Sequence, residues 1–258
     1  MLKLRDWIHP DKLNWNTLAM NPSAIHLFEK DPPNNINWYR LCENPAAMHL
    51  IERNLDRINW NYLCENPAAI PFMEKNPDKM NWNYLSCNPA AVPLLEKNMD
   101  KINWNRISSN PAAISILEKN LDKVVWPYLS ENPAAIHLLE KNMHKINWAL
   151  LSKNPAAIHL LEKNMEKVDW HYLAMNPSAI HLLKDRTDLY LTLAMNPNAI
   201  HLIKNLEDID WFWLSLNPAI FEYDYEGMKR SRDRLTEELM QERFHPKNVD
   251  KFESWGFT

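Results

Sequence analysis

Six histidines hold one position of a repeating pattern: His26, His49, His137, His159, His181 and His201. Imidazoles in a row are the raw material of a zinc site or a pH sensor. A metal, however, needs ring nitrogens about 2.1 Å from one shared ion. Equivalent residues on stacked helices stand about 8–10 Å apart. Pro71, Pro93 and Ser115 also interrupt the row. The histidines therefore read as a polar outer row beside Glu and Lys, and no metal is expected.

The tryptophans are the next candidates, as stacking platforms for bases or sugars. Their fixed distance from an aliphatic residue and a small residue points instead to core packing. Four tyrosines sit two places after a repeat tryptophan: Tyr62, Tyr84, Tyr128 and Tyr172. Arg106 holds the same place in its repeat, and Trp213 in the last one. These are candidate partner contacts. A second candidate is the basic cluster Lys229, Arg230, Arg232 and Arg234. Asp233 interrupts it and Glu237, Glu238 and Glu242 follow. That mixture describes a solvated helix face, with a protein or nucleic-acid contact as the alternative.

Catalysis finds no support. There is no nucleophile–base pair and no isolated carboxylate pair, and two glycines cannot make a phosphate cradle. No cofactor and no small-molecule substrate are expected. The cysteines are Cys42, Cys64 and Cys87, an odd number without metal-ligand spacing, as suits a reducing compartment. A net charge of −4 argues against a general polyanion binder. The start of the chain lacks a secretory apolar stretch, and no apolar run is long enough to span a bilayer.

What must position these residues is a repeat. An Asn-Pro dipeptide opens each unit at 21, 44, 66, 88, 110, 132, 154, 176, 196 and 217. The spacings are 23, then 22 six times, then 20 and 21. Each unit reads as two short helices. One starts at Asn-Pro, with Asn as N-cap and Pro at the first helical position, and continues through Ala, Ile and Leu. Asn142 and its equivalents are expected to close it as left-handed C-caps, which would explain the scarcity of glycine. The other helix starts at an Asn or Asp before Trp; only Val125 and Leu189 break that rule. Leu or Ile follows three residues after the tryptophan position, and Ala, Cys or Ser one residue later, in all ten units. The invariably small residue implies close helix contact. A lone unit buries too little apolar surface to offset the cost of ordering its backbone, so several must stack.

The fold expected is all-α, an α-solenoid of about ten 22-residue two-helix repeats with a C-terminal helical cap. The divisions are 1–14 as an N-terminal cap, 15–220 as the repeats and 221–258 as the capping segment. The stack should form a rod or arc of roughly 80–100 Å. The shortened ninth unit, at Lys184-Asp-Arg-Thr-Asp188, should change its curvature. In the last segment a charged helix over 226–244 should make contact through Met228, Leu235, Leu239 and Phe244. His245-Pro246 should break it, before a short helix over 247–254 and Trp255-Gly256-Phe257-Thr258. The whole segment should fold back on the array.

The repeat Asn-Pro-(Ala/Ser/Asn)-Ala-Ile-His-Leu-(Leu/Ile), with Lys-Ile-Asn-Trp and Leu-Ser-Glu-Asn-Pro, resembles one found in proteins of giant nucleocytoplasmic DNA viruses. Phe221-Glu-Tyr-Asp-Tyr225, Phe244-His-Pro-Lys-Asn248 and Trp255-Gly256 are similar to the C-terminal signature of those proteins. Asn is common at their third position, whereas here Ala dominates and only Asn198 matches. The resemblance implies a viral source and no catalysis. The function expected is a non-enzymatic scaffold with a protein-binding repeat surface, in a giant-virus virion as a minor capsid or scaffold protein. The partners expected are viral structural proteins, and the place the virion or the cytoplasm of the infected cell. The alternative is an adaptor that binds a host protein; a modular nucleic-acid reader ranks third. Residues one, two and five places after each tryptophan vary most, so a ligand would be encoded there.

Overall fold

The computed structural model describes residues 2–30, 36–184, 186–206 and 208–243. The segment expected after the charged helix lies outside the described residues, as do Phe244 and the Leu239 side chain. The chain forms two compact units. One is Trp7–Ile220; the other joins Met1–Asp6 to Phe221–Thr258.

The first unit is an all-α repeat solenoid. A repeat begins with a helix of four to six residues at the tryptophan, such as Trp126–Ser130. Asn-Pro follows and opens a 3-10 turn, Pro133–Ala135. A second helix, Ile136–Glu140, comes next, then another 3-10 turn, Met143–Lys145. None of these pieces could hold itself together in water, since helix nucleation is costly and each spans little more than one turn. They exist because neighbours bury them. Leu129, Ala135 and Leu139 are fully buried, as are their counterparts in the other regular repeats.

The Asn-Pro asparagine does more than cap. Its Oδ1 accepts the N–H two residues on, as expected, for instance Ala134 N at 3.0 Å. Its Nδ2 donates to two carbonyls of the preceding repeat. Asn132 reaches Ser108 O and Asn110 O, both at 3.0 Å. All ten asparagines do this. Each is at most 1% exposed. The small residue after the Trp-helix leucine is a second rivet. Ser108 Oγ donates to Trp104 O at 2.7 Å and accepts Val125 N of the next repeat at 3.0 Å. Ser86, Ser130 and Ser152 repeat that pair of bonds, and Cys64 Sγ accepts Asn81 N at 3.3 Å.

The ladder has no first rung. Asn21, in repeat 1, donates to Ser215 O and Asn217 O of repeat 10, each at 3.1 Å. Asn14 N donates to Ser215 Oγ at 2.8 Å, and Thr17 Oγ1 to Phe212 O at 2.8 Å. The bonds of Asn21 and Asn14 are those made at the other junctions, and the Thr17 bond is added to them. The repeats therefore close into a ring, and the open rod expected from their number is replaced by a belt whose two end repeats cover each other. Residues 10–14 belong to this pattern. The 3-10 turn Pro10–Lys12 precedes Asn14-Trp15 as Pro77–Lys79 precedes Asn81-Trp82.

Two further expectations change. Asn142 is not left-handed: its φ is −134° and ψ 44°. The helix end is closed by the side chain, whose Nδ2 donates to Leu138 O at 2.9 Å. Asn54, Asn76, Asn98, Asn120 and Asn164 do the same. The short ninth unit leaves the ladder intact, because Asn196 still donates to Ala174 O and Asn176 O. The missing residues are absorbed just before it, where Pro177–Leu182 is a continuous 3-10 helix in place of turn plus α-helix.

In the second unit, β1 (Leu2–Leu4) pairs antiparallel with β2 (Phe221–Tyr223), with Lys3 opposite Glu222. The helix Tyr225–Arg243 follows. Asp224 caps it by accepting Gly227 N at 2.8 Å, and a Cβ at Gly227 would stand 2.0 Å from the Asp224 carboxylate. Leu235, expected as a contact, is 58% exposed.

Candidate functional site: the inner wall of the ring

Which side of the repeat faces inward follows from how neighbours meet. Trp helices of adjacent repeats touch directly. The Tyr39 and Tyr62 rings stack at 6.2 Å, and Asn81 Nδ2 donates to Asn61 Oδ1 at 2.8 Å. Side chains two repeats apart also meet: the Arg106 guanidinium binds Glu65, passing Cys87 Sγ at 3.5 Å. Only a concave surface brings alternate repeats together. On the opposite side the Ile helices are joined by extended side chains, as His137 Nε2 meets Glu118 Oε1 at 2.8 Å. The Trp helices thus form the inner wall and the Ile helices the outer one.

Residues one, two and five places after Trp share the inward face, because helix positions three and four apart lie together. Tyr62 and Tyr84 are half-buried there and meet edge to face at 6.1 Å. Arg106 lies over the Tyr84 ring at 4.6 Å. Tyr128 and Tyr172 are exposed, and Trp213 packs against Phe212 at 4.9 Å. The structure thus brings all six of these predicted residues onto one wall. Lys229, Arg230, Arg232 and Arg234 lie on the helix of the other unit. There Arg232 pairs with Asp233 at 2.9 Å and Arg234 with Glu238 at 3.6 Å, as on a solvated face.

The wall is close to electroneutral. Arg40 pairs with Glu43, Arg106 with Glu65 and Lys153 with Glu131. Burial pushes the Glu43 carboxyl up, Arg40 pulls it down, and Glu65 raises it again. Burial likewise raises the thiols of Cys42, Cys64 and Cys87, so they stay protonated and poorly nucleophilic.

Polarity divides the wall into two arcs. Repeats 2 to 7 carry the three ion pairs and Asn61, Asn83 and Asn105, with Tyr39, Tyr62, Tyr84, Tyr128 and Leu150 among them. Repeats 8 to 10, continuing through the junction into repeat 1, are mostly apolar, with Tyr172, Met175, Leu191, Met195, Phe212, Trp213, Leu216 and Met20 against His171, Thr192, Asn16 and Thr17. Leu191 is 49% exposed and Phe212 43%. Sequence reasoning identified the variable positions but not their common inward direction. It also missed Tyr39, Glu65 and Phe212 as contact residues, although each occupies one of those positions.

The tryptophans are half-buried, not part of the sealed core. In many repeats a cation from the turn that ends the unit lies over its tryptophan: Lys101 over Trp82 at 4.6 Å, Lys123 over Trp104 at 5.0 Å, Lys145 over Trp126 at 4.4 Å. Arg186 takes the place of Lys over Trp170. Across the junction, Lys12 covers Trp211 at 5.4 Å. The outer histidines pair with Glu of the preceding repeat at His49, His137, His159 and His181. Among the described residues no group of three or more His, Cys, Asp or Glu could hold a metal, and no helix is long and apolar enough to cross a membrane. No protein-family model matches the chain, and no curated protein or solved structure matches it either.

Proposed function

We propose that the protein is a non-enzymatic scaffold that binds another protein on its inner wall. The observation that carries this reading is the contrast between a hydrogen-bonded frame repeated ten times and side chains on that wall that differ from repeat to repeat. A fixed frame with variable inward positions suits recognition of one partner. The paired charges disfavour a nucleic-acid ligand, whose phosphates call for unpaired Lys and Arg. Protein binding is tested by crosslinking through residues placed at the inner positions. Crosslinks to one discrete protein are expected, and salt-sensitive binding of DNA or RNA would oppose the reading.

Within that class we propose a minor capsid or scaffold component of a giant-virus particle, on the strength of the repeat resemblance. Proteomics and labelled cryo-microscopy of purified particles test it, with a fixed copy number per particle expected. Absence from the particle, with a host protein crosslinked to the inner wall, would favour the adaptor reading.

A further inference from the structure

We infer that the ring takes an amphipathic α-helix of its protein partner, laid with its apolar side against repeats 8 to 10 and its polar side toward repeats 2 to 7. This deepens, and rests on, the protein-binding function proposed above.

Four observations favour this occupant. First, ten helices at about 8–10 Å spacing form a circle roughly 26–32 Å across between axes. Subtracting one helix diameter with its side chains, about 10–12 Å, leaves an opening roughly 14–22 Å wide. That space holds one helix and little else. Second, the wall has two chemical sides, matching a ligand with two sides. Met175, Leu191, Met195, Phe212, Trp213 and Leu216 lie on one; the pairs Arg40–Glu43, Glu65–Arg106 and Glu131–Lys153 lie on the other. Methionines among leucines and aromatics adapt to varied helix faces. Third, a strand finds no edge to join. Backbone groups of the Trp helices bond within their helices or to the asparagine ladder, so recognition must run through side chains. Fourth, a second copy of the chain cannot reach this surface with its own inner wall, because both are concave.

The test is selection of random 16-residue peptides displayed on phage against the full-length protein, followed by anisotropy with the enriched peptides. Enriched sequences should place apolar residues at i, i+3, i+4 and i+7 and become helical on binding. Leu191→Asn combined with Leu216→Asn should weaken binding tenfold or more. Trp213→Ala, at a side chain 36% exposed, should do so in a protein that still melts well above the assay temperature. Glu118→Gln on the outer wall should change nothing. Enrichment of proline-rich or non-periodic peptides that still compete for the inner wall would overturn the helix and leave protein binding standing. Enrichment of nothing, or of peptides indifferent to the inner-wall variants, would remove both.

Discussion

The buried asparagine belt and the outer wall of the ring are made from the same repeat, yet they tolerate different things. The belt is uniform: every asparagine makes its two bonds backward, in the shortened ninth unit and at the junction alike. The outer wall is forgiving. It accepts Pro71 and Pro93 at the histidine position, a 3-10 helix at Pro177–Leu182, and in repeat 10 no outer helix, since β2 follows Ile220 directly. Cohesion resides in buried amide hydrogen bonds, which allow no substitute, while the outer side chains meet through solvent-exposed pairs.

The strongest way to break this contrast is Asn110→Asp. A carboxylate there would face the carbonyls of Ser86 and Asn88 with no proton to donate. A loss of about 3–5 kcal/mol is expected by denaturant titration. Asn110→Ala should cost about 3 kcal/mol, since two carbonyls and one N–H lose their partner. The next variant separates a ring from an open stack. Asn21→Ala should cost as much as Asn110→Ala, because Ser215 and Asn217 depend on it. In an open stack only its cap to Ser23 would be lost, about 1 kcal/mol. Lys123→Ala should cost about 0.5–1 kcal/mol through the uncovered Trp104 ring. His137→Ala on the outer wall should fall within about 0–1 kcal/mol.

The smallest effect is expected from Glu43→Gln, and it has a sign. Burial raises this carboxyl above its unfolded value. The folded protein therefore holds the proton more tightly, and ionisation costs stability as pH rises from the unfolded value through the raised one. Glu43→Gln should thus be relatively more stable at neutral pH than at pH 4, and flatten the dependence of the urea midpoint on pH.

Much of the frame was legible in the chain. Asn132-Pro133 reads as a helix start because cap and ring-locked φ are local properties, and the Oδ1 bond to Ala134 N is as expected. The other half of the same amide was not legible. Its acceptors lie 22 and 24 residues back and are backbone atoms, which carry no residue signature. Closure was hidden for a related reason. A period of 22 sets the unit, but the turn per unit depends on how much closer Trp helices pack than Ile helices, and no single residue reports that difference. The clue was distributed: Pro10-Asp11-Lys12 repeats Pro77-Asp78-Lys79, and the unit opening at Asn217 lacks its second helix. Candidate contacts at Tyr62, Tyr84 and Arg106 could be chosen from variation alone. Tyr39 and Phe212 belong with them, and their inward direction emerges only when the helices are placed.

A linear stack of repeats has two ends, and ends fray. Here the asparagine bonds run head to tail around a loop, so every repeat is an interior repeat. Releasing one means cutting two interfaces together, and partial unfolding has no natural starting place. The cost falls on folding instead. The bonds from Asn21 to Ser215 and Asn217 join residues 194 and 196 apart, against 22 at an ordinary junction. That longer closure costs about 2 kcal/mol more in chain entropy. The last contact to form is thus the one that turns a fraying chain into a cooperative hoop.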